Sequence, residues 1–103
     1  MKYIDLTEQI QEKNQKVTLR LDDEHVYTVN NTRGAMEIVM ATMKDIEGEK
    51  DYEKVLDSVD TIIEKILGKD AAEVTKDYTI GAKRIILEAI MGAFTGEDGT
   101  PKN

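Results

Sequence analysis

The order of apolar and polar residues divides the chain into a short β-rich beginning and a longer helical remainder. Over residues 16–29, apolar side chains alternate with polar ones, as they do along strands that bury one face. Acidic residues 22–24 interrupt this alternation with turn formers, which predicts a β-hairpin whose first strand buries Val17, Leu19 and Leu21. Residues 1–6, with Ile4 and Leu6 on one face, are a candidate third strand.

After residue 30 the apolar spacing lengthens to three or four residues, which is the spacing of one helix face. It predicts a first helix that Asn31 or Thr32 caps and Gly48 ends. The apolar side of this helix consists of Met36, Val39, Met40, Met43 and Ile46. A second predicted helix is capped by Asp51 and ends at Gly68. Its apolar stripe consists of Tyr52, Val55, Leu56, Val59, Ile62, Ile63, Ile66 and Leu67.

Two further helices are predicted in the C-terminal third of the chain. Asp70 and Glu73 have the spacing of a capping box, which predicts a short helix that ends before Thr79. Thr79 is then the predicted cap of a final helix. Leu87 and Met91 fall outside the inner stripe of that helix, so its apolar surface is wider than one core contact needs. The predicted inner stripe is Ala82, Ile85, Ile86, Ala89, Ile90, Ala93 and Phe94.

Strands that precede helices, without β-α-β alternation, predict an α+β fold. We expect a small antiparallel sheet, a hairpin with a possible third strand, packed on a bundle of three to four helices. A chain of 103 residues is the size of one domain, which we place at residues 1–96. Residues 97–103 combine glycine and proline with charged and polar residues and are expected to fray.

Composition narrows the classes of function. The 14 basic residues against 21 acidic ones give a formal net charge of −7, which opposes binding to nucleic-acid phosphates. The chain has no cysteine, which excludes disulfides, thiolate nucleophiles and zinc–thiolate sites. No stretch approaches the roughly 18 apolar residues of a membrane span, and the N-terminus lacks a signal-peptide run. We therefore expect a cytoplasmic protein that binds neither nucleic acid nor membrane.

Candidate chemistry is sparse. His25, the only histidine, is either an acid–base group beside acidic residues or a solvated strand residue, and the second interpretation is favoured because no partner nucleophile is near it in sequence. Acidic residues 22–24 could ligate a cation, but they lack EF-hand spacing and suit a turn. The acidic residues between 45 and 53 form either a solvated loop or a docking patch. The sequence predicts no catalytic residue, cofactor or metal.

Methionines supply the main sign of a binding surface. Met36, Met40 and Met43 share one side of the first predicted helix, and Met91 lies on the last one. Such a stripe is more often core, but flexible thioethers also suit a groove that accepts an apolar helix. The predicted protein-binding residues are Leu87, Met91, Phe94, Met36 and Met40.

Three segments together resemble a known family. VYTVNNT, IIEKILGKDAAEV and ILEAIMGAFTGE are similar to the small tail assembly chaperones of tailed bacteriophages and prophages of Gram-positive hosts, and the similarity spans about residues 17–96. The most telling piece is residues 67–70, followed by a short helix and a last helix that ends at Gly96. The resemblance implies a non-enzymatic protein that coats the apolar tape measure protein before tail tube subunits polymerise around it. In this family a frameshifted extension often binds the tape measure protein, and the sequence to Asn103 shows none.

Other functions fit the same sequence. The chain could be a self-associating structural or accessory subunit of a phage particle that uses its last helix as a homo-oligomer interface. It could also be a generic helical adaptor. A small-ligand protein with a pocket between hairpin and helices has the least support.

Overall fold

Seven elements of secondary structure follow one another in the computed structural model, which describes residues 2–95. In chain order they are α1 Thr7–Lys13, β1 Thr18–Arg20, β2 Val26–Thr28, α2 Arg33–Asp45, α3 Tyr52–Leu67, α4 Lys69–Thr75 and α5 Ile80–Thr95. The two-stranded antiparallel sheet followed by four helices confirms the predicted α+β fold. The tail predicted at residues 97–103 lies outside the described residues.

The predicted hairpin forms, and Leu19 lies on its inner face as expected. Leu19 pairs with Tyr27, and both side chains are half-buried while their strand neighbours point outward. The Asp22 carboxylate closes the turn by accepting hydrogen bonds from the backbone N–H groups of Glu24 at 2.8 Å and His25 at 2.9 Å. This use of an aspartate side chain in place of a backbone acceptor is why the acidic run makes a good turn.

Three contacts attach the hairpin to the end of α3 and the start of α4. The Val29 side chain, at the exit of β2, is buried. The next residue, Asn30, donates its backbone N–H to the Ile66 carbonyl at 3.0 Å. The Tyr27 hydroxyl donates to the Asp70 carboxylate at 2.6 Å. The helices therefore stabilise the sheet, which as an isolated two-stranded hairpin would be only marginally stable in water.

The N-terminal segment differs from the prediction. Residues 2–6 form no strand, and the helix α1, which was not predicted, follows them. Asp5 turns the chain into this helix, because its carboxylate accepts from the backbone N–H of Thr7 at 3.0 Å and from its hydroxyl at 2.6 Å. The α1 sequence TEQIQEK is rich in helix formers but contains one apolar residue, so it shows no apolar period.

Predicted helix caps are confirmed at three positions. Thr32 accepts from the Ala35 N–H at 3.3 Å, Asp51 from Glu53 at 3.0 Å, and Thr79 from Ala82 at 3.2 Å. Each bond satisfies a backbone donor that the first turn of a helix leaves free.

The junction between α3 and α4 corrects the predicted capping box. Gly68 ends α3 and directly precedes α4, with a φ of 106° that favours glycine. Because the two helices share this residue, Asp70 lies inside the first turn of α4 and makes no cap hydrogen bond. Its carboxylate accepts from Tyr27 instead.

Helix α3 is the centre of the core. It packs closely against α2, α4 and α5, and truncating a fully buried isoleucine such as Ile63 to alanine costs about 2–5 kcal/mol. The predicted stripe is confirmed except at Tyr52, which lies at the first position of α3 and is 74% exposed. The buried residues of α3 are Val59, Ile62, Ile63, Ile66 and Leu67.

On α2 the buried line is displaced from the predicted one. Ala35 and Val39 are buried, whereas Met36 and Met40 are exposed. Each methionine follows a buried residue and is therefore rotated about 100° from it around the helix. The side of α2 that was predicted to face the core thus places its first two methionines toward solvent.

On α5 the prediction is correct for Ile86, Ile90 and Ala93, which are buried, and wrong for Ile85, which is 69% exposed. Leu87 and Met91 were predicted to lie outside the core, but both are half-buried against it. Ile85 and Leu87 lie about 100° to either side of Ile86. The flank with Leu87 faces α2, and the flank with Ile85 is left in solvent.

Candidate protein-binding groove

An open apolar groove lies between the C-terminal half of α2, the first half of α3 and α5. It consists of three adjoining depressions of about 380, 590 and 440 Å³, all of which Met43 lines. We call it the α2–α5 groove. Its apolar lining residues are Met40, Met43, Ile46, Val55, Leu56, Val59, Ile80, Leu87 and Met91.

The groove follows from how the helices pack. Helix α3 contacts both α2 and α5 closely, whereas α2 and α5 approach each other much less closely. The loop after α2 also contributes, because Ile46 remains half-buried beside Met43 while Gly48, with a φ of 76°, turns the chain toward α3. Because α2 and α5 each pack on α3 and not closely on each other, an open channel remains between α2 and α5.

The structure brings together three of the five predicted binding residues. Met40, Leu87 and Met91 line the α2–α5 groove. Phe94 is half-buried against the core and Met36 is exposed on α2, and neither lines the groove. Leu87 and Met91 therefore both pack against the core and line the groove.

Sequence reasoning assigned several groove residues to the core. Met43, Ile46, Val55 and Leu56 are all half-buried and present surface to the groove. Met43 and Val55 also pack against the core. The available signal was the clustering of methionines, since Met40, Met43 and Met91 meet in one depression. Unbranched thioether side chains can adjust to the shape of an occupant.

Charges along the groove are balanced. Lys44 and Glu47 border it on the α2 side, and Arg84 and Glu88 border it on α5. Arg84 and Glu88 also form an exposed ion pair at 3.8 Å. The chain as a whole carries a net charge of −7, so this neutral rim differs from the average surface. A neutral rim with an apolar floor suits an apolar occupant better than a basic one.

A partly buried ion pair fixes α5 on α3 below the groove. The Lys83 side chain is almost fully buried, and its Nζ donates to the Asp60 carboxylate at 2.7 Å and to the Lys76 carbonyl at 3.3 Å. The sequence pattern does not predict this pair. The sequence signal for it is that Lys83 lies on the same side of α5 as Ile86 and Ile90, where an apolar residue is expected.

His25 belongs to the hairpin turn and is half-buried. Its Nδ1 lies 2.8 Å from the Asp22 carboxylate, which raises the pKa of His25 above its ordinary value and lowers the pKa of Asp22. Its ring stacks on Tyr27, with centroids 6.4 Å apart. The hydrogen bond to Asp70 raises the pKa of Tyr27 to about 12. These contacts give His25 a role in ordering the hairpin, whereas the sequence indicated a solvated residue.

The acidic loop between α2 and α3 makes local contacts. Asp51 caps α3, and the Glu49 carboxylate accepts from the Asp51 N–H at 3.3 Å. Glu49 also lies 3.9 Å from the Lys54 ammonium. The loop and cap contacts favour the interpretation of a solvated loop over that of a docking patch.

Among residues 2–95, no three or more histidine, cysteine, aspartate or glutamate side chains are grouped so that they could hold a metal ion. None of the helices in this part of the chain is both long and apolar enough to cross a membrane.

Comparisons with protein-family models, with curated proteins and with solved structures found no match. The α2–α5 groove is therefore the feature from which function is inferred.

Proposed function

We propose that the chain is a non-enzymatic protein-binding domain that holds an apolar helix of a partner in the α2–α5 groove. The observation that carries this proposal is the meeting of Met40, Met43 and Met91 in an open depression. Helices bind such grooves through apolar side chains spaced three, four and seven residues apart, and methionine side chains tolerate variation in their shape.

The partner proposed from the family resemblance is a tape measure protein, which makes the chain a phage tail assembly chaperone in the cytoplasm of a bacterial host. A tape measure chain presents long apolar helical faces that aggregate when uncovered. A groove with a neutral rim can cover such a face, while the net charge of −7 over the whole chain keeps the complex dissolved.

Met40 provides the sharpest test, because it lines the groove and is 58% exposed, so changing it does not open the core. We expect Met40→Glu to weaken binding of a coexpressed tape measure segment at least about tenfold, since the carboxylate would be desolvated against the apolar helix. Binding is measured by co-purification and by isothermal titration calorimetry.

Met36→Glu is the matched control. Met36 lies one turn earlier on α2, is exposed, and does not line the groove. Its variant should bind as the unchanged chain does. Equal loss in both variants would assign binding to α2 in general, and failure of the folded, unchanged chain to bind any tape measure segment would refute the chaperone function.

A further inference from the structure

The N-terminal arm, residues 2–13, carries apolar side chains that the other described residues leave exposed. Ile4 is 81% exposed and Ile10 is 58% exposed. Leu6 and Ile10 lie one helical turn apart, with the Ile10 N–H donating to the Leu6 carbonyl at 2.9 Å, so their side chains share a face. None of the close packings between described elements involves α1.

Helix α1 is too short to be expected to be stable without packing of its apolar residues. The helix has seven residues, none of them buried. Isolated helices shorter than about 12–15 residues are marginal in water, and most helical stability comes from packing of an apolar face. A seven-residue helix that leaves Ile10 and the preceding Leu6 in solvent is therefore expected to need a surface to pack on.

We propose that the N-terminal arm of one copy docks in the α2–α5 groove of a second copy, and that the exchange is reciprocal. Each chain carries one uncovered apolar arm and one open apolar groove, so a twofold dimer covers both surfaces at once and closes without further copies. Leu6 and Ile10 supply the apolar face, and Met40, Met43 and Met91 receive it.

Charge also favours a second copy at this place. Two chains of net charge −7 repel each other over most of their surface. Residues 2–16 carry three lysines (Lys2, Lys13, Lys16) and three acidic residues (Asp5, Glu8, Glu12), so the arm and its linker are neutral. The rim of the groove pairs Lys44 and Arg84 with Glu47 and Glu88. The dimer thus joins the two surfaces where repulsion is least.

The proposed dimer involves the α2–α5 groove but does not depend on which functional partner the groove binds. Dimerisation is measured on the chain alone, so it can fail while helix binding holds, and the reverse. If both hold, a partner helix must displace the arm.

The first experiment measures the mass of the purified chain in solution by light scattering over a range of concentrations. We expect a concentration-dependent dimer, and we expect the double change Leu6→Asp and Ile10→Asp to raise its dissociation constant at least about tenfold, because two apolar side chains lose their burial. Gln11→Asp changes an exposed polar residue of the same helix and is the control. A monomer at all concentrations, or equal effects of the two variants, would overturn the proposal.

Cysteine cross-linking then tests which copy the arm reaches. The natural chain has no cysteine, so single cysteines report one contact each. A copy with Ile10→Cys is mixed with a copy with Met40→Cys and oxidised, and a disulfide between the two different copies is expected. Gln11→Cys in place of Ile10→Cys should cross-link poorly. If the disulfide forms only when both cysteines are on one chain, the arm closes on its own groove and the dimer proposal is wrong.

Discussion

Lys83 is a charged residue at a position where the helical pattern predicts an apolar one. It occupies a buried position that the helical period assigns to an apolar side chain, and it is accommodated by the Asp60 carboxylate and the Lys76 carbonyl. A buried charge that keeps its partner is tolerated, whereas one that loses its partner is strongly destabilising. The two partners of this pair should therefore respond differently to substitution.

We expect Asp60→Asn to lower the free energy of unfolding by about 1–3 kcal/mol, because it leaves the Lys83 ammonium buried without a countercharge. Asp60 is 40% exposed at its side chain, so water relieves part of that cost. Lys83→Met keeps the volume and removes the charge, and it should cost less. Urea unfolding of both variants measures the difference, and a larger loss for Lys83→Met would contradict this account.

At the scale of elements, Gly68 sets the angle at which α4 leaves α3. Its φ of 106° lies in the region that favours glycine, and an added Cβ would meet no atom within 4 Å. Any cost of a side chain there is consequently backbone strain alone. The direction that Gly68 gives to α4 sets the positions of Asp70, which contacts the hairpin, and of Ala71, which is buried.

Gly68→Ala is expected to destabilise the fold by about 1–3 kcal/mol, since alanine resists this conformation. Gly34→Ala is the matched control, because Gly34 lies in the first turn of α2, has no positive φ, and likewise has open space at its Cβ. Its variant should be neutral or more stable by up to about 1 kcal/mol. The comparison is made by urea unfolding, and similar losses at both positions would show that backbone strain is not the cause.

Across the whole molecule, the parts that the sequence predicts correctly depend on local rules. The hairpin turn needs only Asp22, and the caps of α2, α3 and α5 need only the residue that precedes each helix. Helix α1 is missed because it shows no apolar period, whereas the other parts that the sequence misses depend on distant neighbours. Asp70 has the spacing of a cap, but its position is decided by Gly68 and its hydrogen bond by Tyr27, 43 residues away in sequence.

The lining of the groove also depends on residues that are distant in sequence, so the sequence predicts it only in part. Period alone cannot distinguish Ile85 from Leu87, which flank Ile86 on opposite sides, because the choice depends on which flank faces α2. The methionine pattern points to one surface of the molecule, and Met40, Met43 and Met91 do line a single depression there. The arm carries no apolar period, so its significance appears only once its side chains are seen to lack a core partner.

The stability of the whole chain near neutral pH is expected to follow the titration of His25, because His25 is the only histidine in the sequence. Asp22 raises the pKa of His25 above 6.5 in the folded chain, so this contribution to stability is complete below pH 6.5 and is lost as pH rises through the folded pKa. The pKa of Asp22 is lowered below 3.8, so its contribution is present above pH 3.8 and is lost as pH falls through the folded pKa.

Both groups are therefore charged and paired between about pH 4 and 6.5, and the free energy of unfolding from this pair should be greatest there. We expect the chain to be more stable to urea at pH 5.5 than at pH 8. Asp22→Asn retains an acceptor for the turn but removes the charge, so it should reduce this difference and return the His25 pKa, followed by NMR, toward 6.5. An unchanged His25 titration in that variant would show that Asp22 does not hold the imidazolium.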